Sequence, residues 1–235
     1  MNILIKGLVK EYEKVALSID ELFIEGGKIV ALLGLNGSGK TTLLECIANF
    51  KGYDKGIIYY DGEEDFERVR NKISIMQQRP YIFNMPVKEN IILGLRYQRL
   101  DTKIIEERLK KYNSYYNLNF LDKNAKKLSG GEAAKVALLR AVILERPLLL
   151  LDEPTANMDI ESTLMTEKLL KDINKEFGTT ILIVTHDIFQ AERIADIVIF
   201  MDKGKIIEMN TNEEFFNNPK NSLVKKILKR GEVND

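Results

Sequence analysis

Three short stretches carry residue types that can do phosphate chemistry. The first is Gly34-Leu35-Asn36-Gly37-Ser38-Gly39-Lys40-Thr41-Thr42. It fits Gly-x4-Gly-Lys-Thr, where glycines let successive backbone N–H groups turn toward phosphate oxygens. An apolar, strand-like run at 28–33 precedes it, and the helical pattern TTLLECIANF follows. That context adds the positive end of a helix to the loop. Lys40 can then reach the β and γ phosphates of a nucleoside triphosphate, and the Thr41 hydroxyl can hold Mg²⁺. The second stretch is LLLLDEP at 148–154, four leucines running into two carboxylates. Ligands bind beyond the carboxyl ends of strands in open α/β sheets. Asp152 would support Mg²⁺ there, directly or through a water. Glu153 would accept a proton from, or orient, the water that attacks the γ-phosphate.

The third stretch is LSGGEAAKVALLRA at 128–141. Ser129, Gly130 and Gly131 stand directly before an Ala/Leu-rich run with helical spacing. Ser is a favoured N-cap, and a helix N-terminus is also an anion site. Local pattern leaves open whether this helix start shares a site with the glycine-rich loop far upstream.

These groups need a scaffold. The runs ILIKGLVKEY, VALSIDELFI and GKIVALLG read as strands, as do GIIYYDGEE and KISIMQQ. The pattern turns helical from about 87 to 116. Apolar strands return at PLLLLDEP, TTILIVTHD and IADIVIFMDKGKIIEM, with a helix between them that Gly178 closes. Near-continuous apolar strands alternating with helices predict a parallel sheet covered on both faces. The central helical block reads as an inserted subdomain. The tail, around Pro219, reads as two short helices.

Composition narrows the class. The chain has 235 residues, enough for one domain with a subdomain and a sizeable core. Lys+Arg and Asp+Glu are both 35, so the basic excess typical of nucleic-acid binders is missing. The single cysteine, Cys46, falls in an apolar helical pattern and reads as a buried core residue. No signal-peptide pattern opens the chain, and no apolar run reaches the roughly 18 residues of a membrane span. A reducing cytosolic setting fits, with any membrane role at its surface.

Five motifs in order carry a family resemblance over nearly the whole chain. LSGGE resembles the signature motif of ATP-binding cassette (ABC) ATPases, at a family-like distance from LLLLDEP. TANMD resembles the D-loop ending at Asp159, IVTHD the switch-histidine segment with His186, and SIMQQRPYIF the Q-loop. KEYEKVAL has an aromatic, Tyr12, where the family stacks adenine. The resemblance implies an α/β, P-loop NTPase-type fold: a mostly parallel sheet core, an N-terminal antiparallel β portion and an inserted α-helical subdomain. It implies a RecA-like core over about 1–78 and 145–235 and a helical subdomain over about 79–144. Carried over residue by residue, Tyr12 stacks on adenine. Gly34, Asn36, Gly37, Ser38, Gly39, Lys40, Thr41 and Thr42 line the triphosphate. Gln78 contacts Mg²⁺ and the attacking water, though its neighbour Gln77 could hold that register; spacing favours Gln78. His186 contacts the γ-phosphate. Thr41, Gln78 and Asp152 form the metal set. Lys40, Gln78, Glu153 and His186 are the catalytic set. Three departures stand out: Glu132 where Gln is frequent, ANMD where SALD-like residues are, and AAKV in place of a Gln/Arg-rich helix start. None removes a catalytic group.

In this family two cassettes pack head to tail, and the signature of one closes on the nucleotide of the other. The resemblance thus implies ATP and Mg²⁺ as cofactors, a homodimer in which Ser129, Gly130, Gly131 and Asp159 help bind the nucleotide held by the other copy, and permease subunits. It implies a peripheral place on the cytoplasmic face of the cell membrane. The apolar cluster Tyr81, Ile82, Phe83 and Met85, next to Gln78, is the expected permease contact. The end segments are similar to importer cassettes, most to tungstate-type ones, which implies an extracytoplasmic solute-binding protein. Phosphate, molybdate and amino-acid import, a small exporter and a lipoprotein-release motor are the other readings. A nucleic-acid ATPase is disfavoured, because the chain has neither a long coiled-coil insertion nor a second cassette.

Overall fold

The computed structural model describes residues 1–13 and 15–231. In chain order the elements are β1 (Ile3–Glu11), β2 (Val15–Ile24), β3 (Ile29–Gly34), α1 (Lys40–Ile47), β4 (Lys55–Tyr60), α2 (Phe66–Val69), β5 (Ile73–Met76), α3 (Val87–Tyr97), α4 (Thr102–Asn113) and α5 (Gly130–Val142). They continue with β6 (Leu148–Asp152), α6 (Ile160–Phe177), β7 (Thr180–Val184), α7 (Ile188–Ile194), β8 (Ile197–Asp202), β9 (Lys205–Thr211), α8 (Asn212–Asn217) and α9 (Ser222–Gly231).

Six strands form one sheet in the order β5-β6-β7-β3-β8-β9. All neighbours pair in parallel except β9, which returns from β8 as an antiparallel edge strand. Strand residues alternate between faces, and this period divides the apolar strands between two cores. Ala31, Leu33, Leu149, Leu151, Ile181 and Ile183 face one core, which α3, α5 and α6 cover. Val30, Leu32, Leu148, Leu150, Leu182 and Val184 face the other. There α1 and an antiparallel three-stranded sheet, ordered β2-β1-β4, complete the layer. Cys46 is buried in that second core.

Local chemistry sets the boundaries. α6 stops at Gly178, whose φ of 64° is the left-handed C-cap a glycine accepts without a Cβ penalty. The helical pattern at 87–116 resolves into two helices. α3 ends at Tyr97, and Arg99 turns left-handed at φ 56° before Asp101 caps α4. Between β5 and β6 the described residues hold α3, α4, α5 and a short 3₁₀ turn, and no strand. No described helix is long and apolar enough to cross a membrane.

Candidate nucleotide site

β3 is central, flanked by β7 and β8, and its carboxyl end feeds the glycine-rich loop. The register aligns Leu32 with Val184 and Val184 with Asp152. Three adjacent strand ends therefore deliver the loop, the 185–186 segment and the two carboxylates to one sheet edge. β5 adds Gln78 just beyond its own end. The result is a cavity of about 520 Å³ lined by Asn36, Gly37, Ser38, Gly39, Lys40, Thr41, Thr42, Gln78, Glu153 and His186, together with Ala16.

Glycine is required at both ends of the loop. At Gly34 (φ 148°) a Cβ would overlap the carbonyl oxygen of Met201. At Gly39 (φ 100°) it would stand 2.8 Å from the Ala16 carbonyl oxygen and 2.8 Å from Leu17 Cδ2. Gly39 leads directly into α1, so the helix N-terminus points into the cavity. Lys40 is only 5% exposed. Its Nζ donates to the carbonyl oxygens of Gly34 (2.8 Å) and Leu35 (3.0 Å). Burial draws its pKa below the usual lysine range, while the charges of Glu153 and Asp152 oppose that pull.

Glu153 is a non-glycine residue at φ 49°, a left-handed conformation costing about 1–2 kcal/mol. Its amide donates to the Val184 carbonyl at 2.9 Å. The turn aims its carboxylate at His186, with Nε2 and Oε1 2.9 Å apart. A strained acidic residue paired with a histidine at a cavity wall is the sort of cost that functional sites carry. Asp152 is buried beside it, and its Oδ1 has no hydrogen-bond partner among the described residues. Desolvation raises its pKa; the Thr41 hydroxyl works the other way, and Glu153 adds to the rise. An orphaned carboxylate oxygen next to a hydroxyl is a hard-oxygen donor set, so these residues fit Mg²⁺.

Gly34, Tyr12, Ser129, Gly130, Gly131 and Asp159 do not line this cavity. Gly34 lines a neighbouring cavity of about 530 Å³, with Leu35, Asn36, His186 and Ile227 among its other walls. Tyr12 is 54% exposed, with Lys10 and Lys51 ammoniums 5.3 and 5.6 Å from its ring. Gln78 lines the main cavity and Gln77 does not. Ser129 caps α5 in a complete capping box: its Oγ accepts from the Glu132 amide, and Glu132 accepts from the Ser129 amide at 2.7 Å. A Cβ at Gly131 would stand 2.7 Å from the Asn157 carbonyl oxygen, so the helix start packs against the 154–159 turn. Asp159 caps α6 through the Ser162 amide at 2.7 Å, and that bond holds its carboxyl below the usual range. None of Ser129, Gly130, Gly131 and Asp159 lines the Lys40 cavity.

Residues 17–156 match the family described as ABC transporter, well over half of the chain. The chain belongs to this family. It carries the family's ATP-binding, ATP-hydrolysing domain. It is 36% identical to the tungstate uptake system ATP-binding protein TupC of Peptoclostridium acidaminophilum, over 88% of this chain and 98% of that one. The phosphate import ATP-binding protein PstB of Thermotoga maritima matches at 35%, over 92% of each chain. The spermidine/putrescine import ATP-binding protein PotA of Mesoplasma florum matches at 34%, over 99% of this chain and 68% of that one. Among solved structures, the dimeric bacterial ABC transporter cassette MJ0796 superposes with a TM-score of 0.83 at 27% identity, covering 89% of this chain and 98% of that one. The same cassette is known in a dimeric post-hydrolysis state bound to ADP and Pi, with a TM-score of 0.82.

The cassette also uses residues that pattern alone did not single out. Ala16 lines the cavity at the start of β2, and the β8–β9 turn braces the loop through the Gly204 amide and Ser38 carbonyl, 3.0 Å apart. Neither carries a functional group, so no side-chain chemistry could have marked them.

Proposed function

We propose that this cassette is the ATP-hydrolysing subunit of an ABC importer, acting as a head-to-tail pair on the cytoplasmic face of the cell membrane. One observation carries the two-copy reading. The helix start at Ser129 is exposed and capped, yet it does not line the cavity that gathers the glycine-rich loop, Lys40, Thr41, Gln78, Glu153 and His186. An anion-binding helix end with no anion site of its own fits a nucleotide held by a second copy.

In this reading the loop amides, Lys40 and Thr42 grip the triphosphate, and Tyr12 stacks on the adenine. Thr41, Asp152 and Gln78 would hold Mg²⁺, which when bound would offset the negative charge of the phosphates. Glu153 takes the proton of the attacking water. His186, tethered to Glu153, contacts the γ-phosphate. Ser129, Gly130 and Gly131 of the second copy close the far side, with Asp159 beside them. Because closure buries nucleotide between the copies, ATP favours the closed pair and hydrolysis releases it.

Residues 79–144 would form a helical subdomain against a core of 1–78 and 145–235. Permease subunits would dock beside Gln78, where Tyr81 is exposed and Phe83 half-buried. Likeness to TupC supports an oxyanion such as tungstate as the cargo, delivered by an extracytoplasmic solute-binding protein; likeness to PstB and PotA favours phosphate or a polyamine instead. Nucleic acid has no place in this scheme. Reconstitution with the co-purified permease and binding protein, and a panel of tungstate, molybdate, phosphate, sulfate and spermidine, tests it. Stimulated ATP hydrolysis by tungstate alone supports the oxyanion reading, and stimulation by spermidine alone sinks it. Phe83→Asp should abolish permease binding and spare nucleotide binding.

A further inference from the structure

The loop that follows Gln78 has no ladder of its own, yet it is tightly held. Asn90, fully buried on α3, supplies most of the bonding. Its Oδ1 accepts from the Phe83 amide at 2.9 Å. Its Nδ2 donates to the carbonyls of Phe83 (3.1 Å), Met85 (3.3 Å) and Pro86 (3.3 Å). One amide side chain thus stands in for the backbone pairing that an irregular segment lacks.

Arg140 continues the chain of contacts into α5. Its Nη2 donates to the Tyr81 carbonyl at 2.8 Å, and its Nη1 reaches Asn90 Oδ1 at 3.5 Å. The guanidinium lies 5.4 Å from the Phe83 ring centre, and that ring meets Tyr81 edge-on at 5.0 Å. At the other end of the helix, the Met85 carbonyl accepts from the Ala125 amide (3.0 Å), and Asn84 Oδ1 accepts from Asn124 Nδ2 (2.8 Å). Asn124 and Ala125 lead into Ser129. Arg140 lies about 16 Å along the helix from Ser129, at 1.5 Å per residue. The loop is fastened to both ends of that span.

We infer that Asn90 on α3 and Arg140 on α5 are positioning residues that clamp the 81–86 loop between the two helices, so that the loop behind Gln78 and the helix start at Ser129 move as one body. The functional consequence rests on the proposed nucleotide roles of Gln78 and Ser129; the clamp does not. A push on Tyr81 or Phe83 then reaches Ser129 without passing through nucleotide.

Paired spin labels test it on the isolated chain. Tyr81→Cys and Lys127→Cys are exposed sites, and the single native thiol, Cys46, is buried. With Arg140 intact, the label-to-label distance should be narrow and unchanged by MgATP. In Arg140→Gln it should broaden. Arg140→Lys, which keeps a charge but not the planar fork, should broaden it less than Arg140→Gln does. Amide exchange over 80–87 should speed roughly tenfold or more in Arg140→Gln, the scale of one lost charge-assisted hydrogen bond. In turnover, that variant should lose kcat with the KM for ATP within about twofold, since neither residue touches nucleotide. An equally narrow distance in Arg140→Gln, or one that MgATP shifts with Arg140 intact, overturns the clamp. If Arg140→Gln does not fold, Asn90→Asp, which removes the donor to three carbonyls, replaces it. A wild-type chain that fails to hydrolyse ATP overturns the functional reading alone, because the nucleotide-free distances still decide the clamp.

Discussion

Glu153→Gln isolates the proposed proton acceptor with little collateral change. The glutamine keeps an oxygen for His186 Nε2, now 2.9 Å from Oε1, and it tolerates φ 49° no worse than glutamate does. What it loses is the ability to take a proton. General-base catalysis contributes about 10²–10⁴ in rate, so kcat should fall by that factor, about 2.7–5.4 kcal/mol of barrier. ATP affinity should stay within a few-fold, because Lys40 and the loop are untouched. A second consequence follows from the neighbouring charge. Glu153 helps raise the Asp152 pKa, so removing it should lower that pKa, although burial remains the larger cause. Steady-state ATPase assays, calorimetric ATP titration and carboxyl-detected NMR read the three effects. A kcat within threefold of wild type, or a loss carried wholly by KM, would refute the assignment.

Other perturbations separate binding from turnover. Ser129→Ala removes a cap worth about 1 kcal/mol, and Gly131→Ala forces a Cβ against Asn157; both should spare ATP binding in the isolated chain and cripple hydrolysis. Tyr12→Leu should weaken ATP binding roughly tenfold with kcat at saturation little changed, as lost aromatic stacking on a base predicts. Asp152 has a folded pKa above its unfolded one, so its contribution to stability is complete below the unfolded pKa and declines as pH rises through the folded pKa. Asp152→Asn should therefore raise Tm at neutral pH, with the gain vanishing in acid, while abolishing Mg²⁺-dependent hydrolysis.

The sequence was most legible where local chemistry is strongest. The strand–loop–helix at 29–47, the leucine strand ending in Asp152, the Ser129 cap and the Gly178 stop are each dictated by a few adjacent residues. The gathering of Lys40, Gln78, Glu153 and His186 at one cavity followed from the family's motif order, and the parallel register accounts for it. Less legible were features set by distant partners. Nothing near Arg140 announces that its guanidinium reaches Tyr81, 59 residues away. The break at Arg99 is likewise not marked by the helical pattern over 87–116.

The central claim is that one active site is built from two copies of the chain. Mixing two inactive variants tests it most directly. Lys40→Ala disables the phosphate loop, and Ser129→Arg disables the signature helix start. In a head-to-tail pair, one mixed dimer holds one site with both lesions and one with neither. Equimolar mixing should then restore about a quarter of wild-type hydrolysis, since half the dimers are mixed and each keeps one of two sites. No recovery above the separate variants, with both still folded and dimerising, would contradict a shared site and confine catalysis to a single chain.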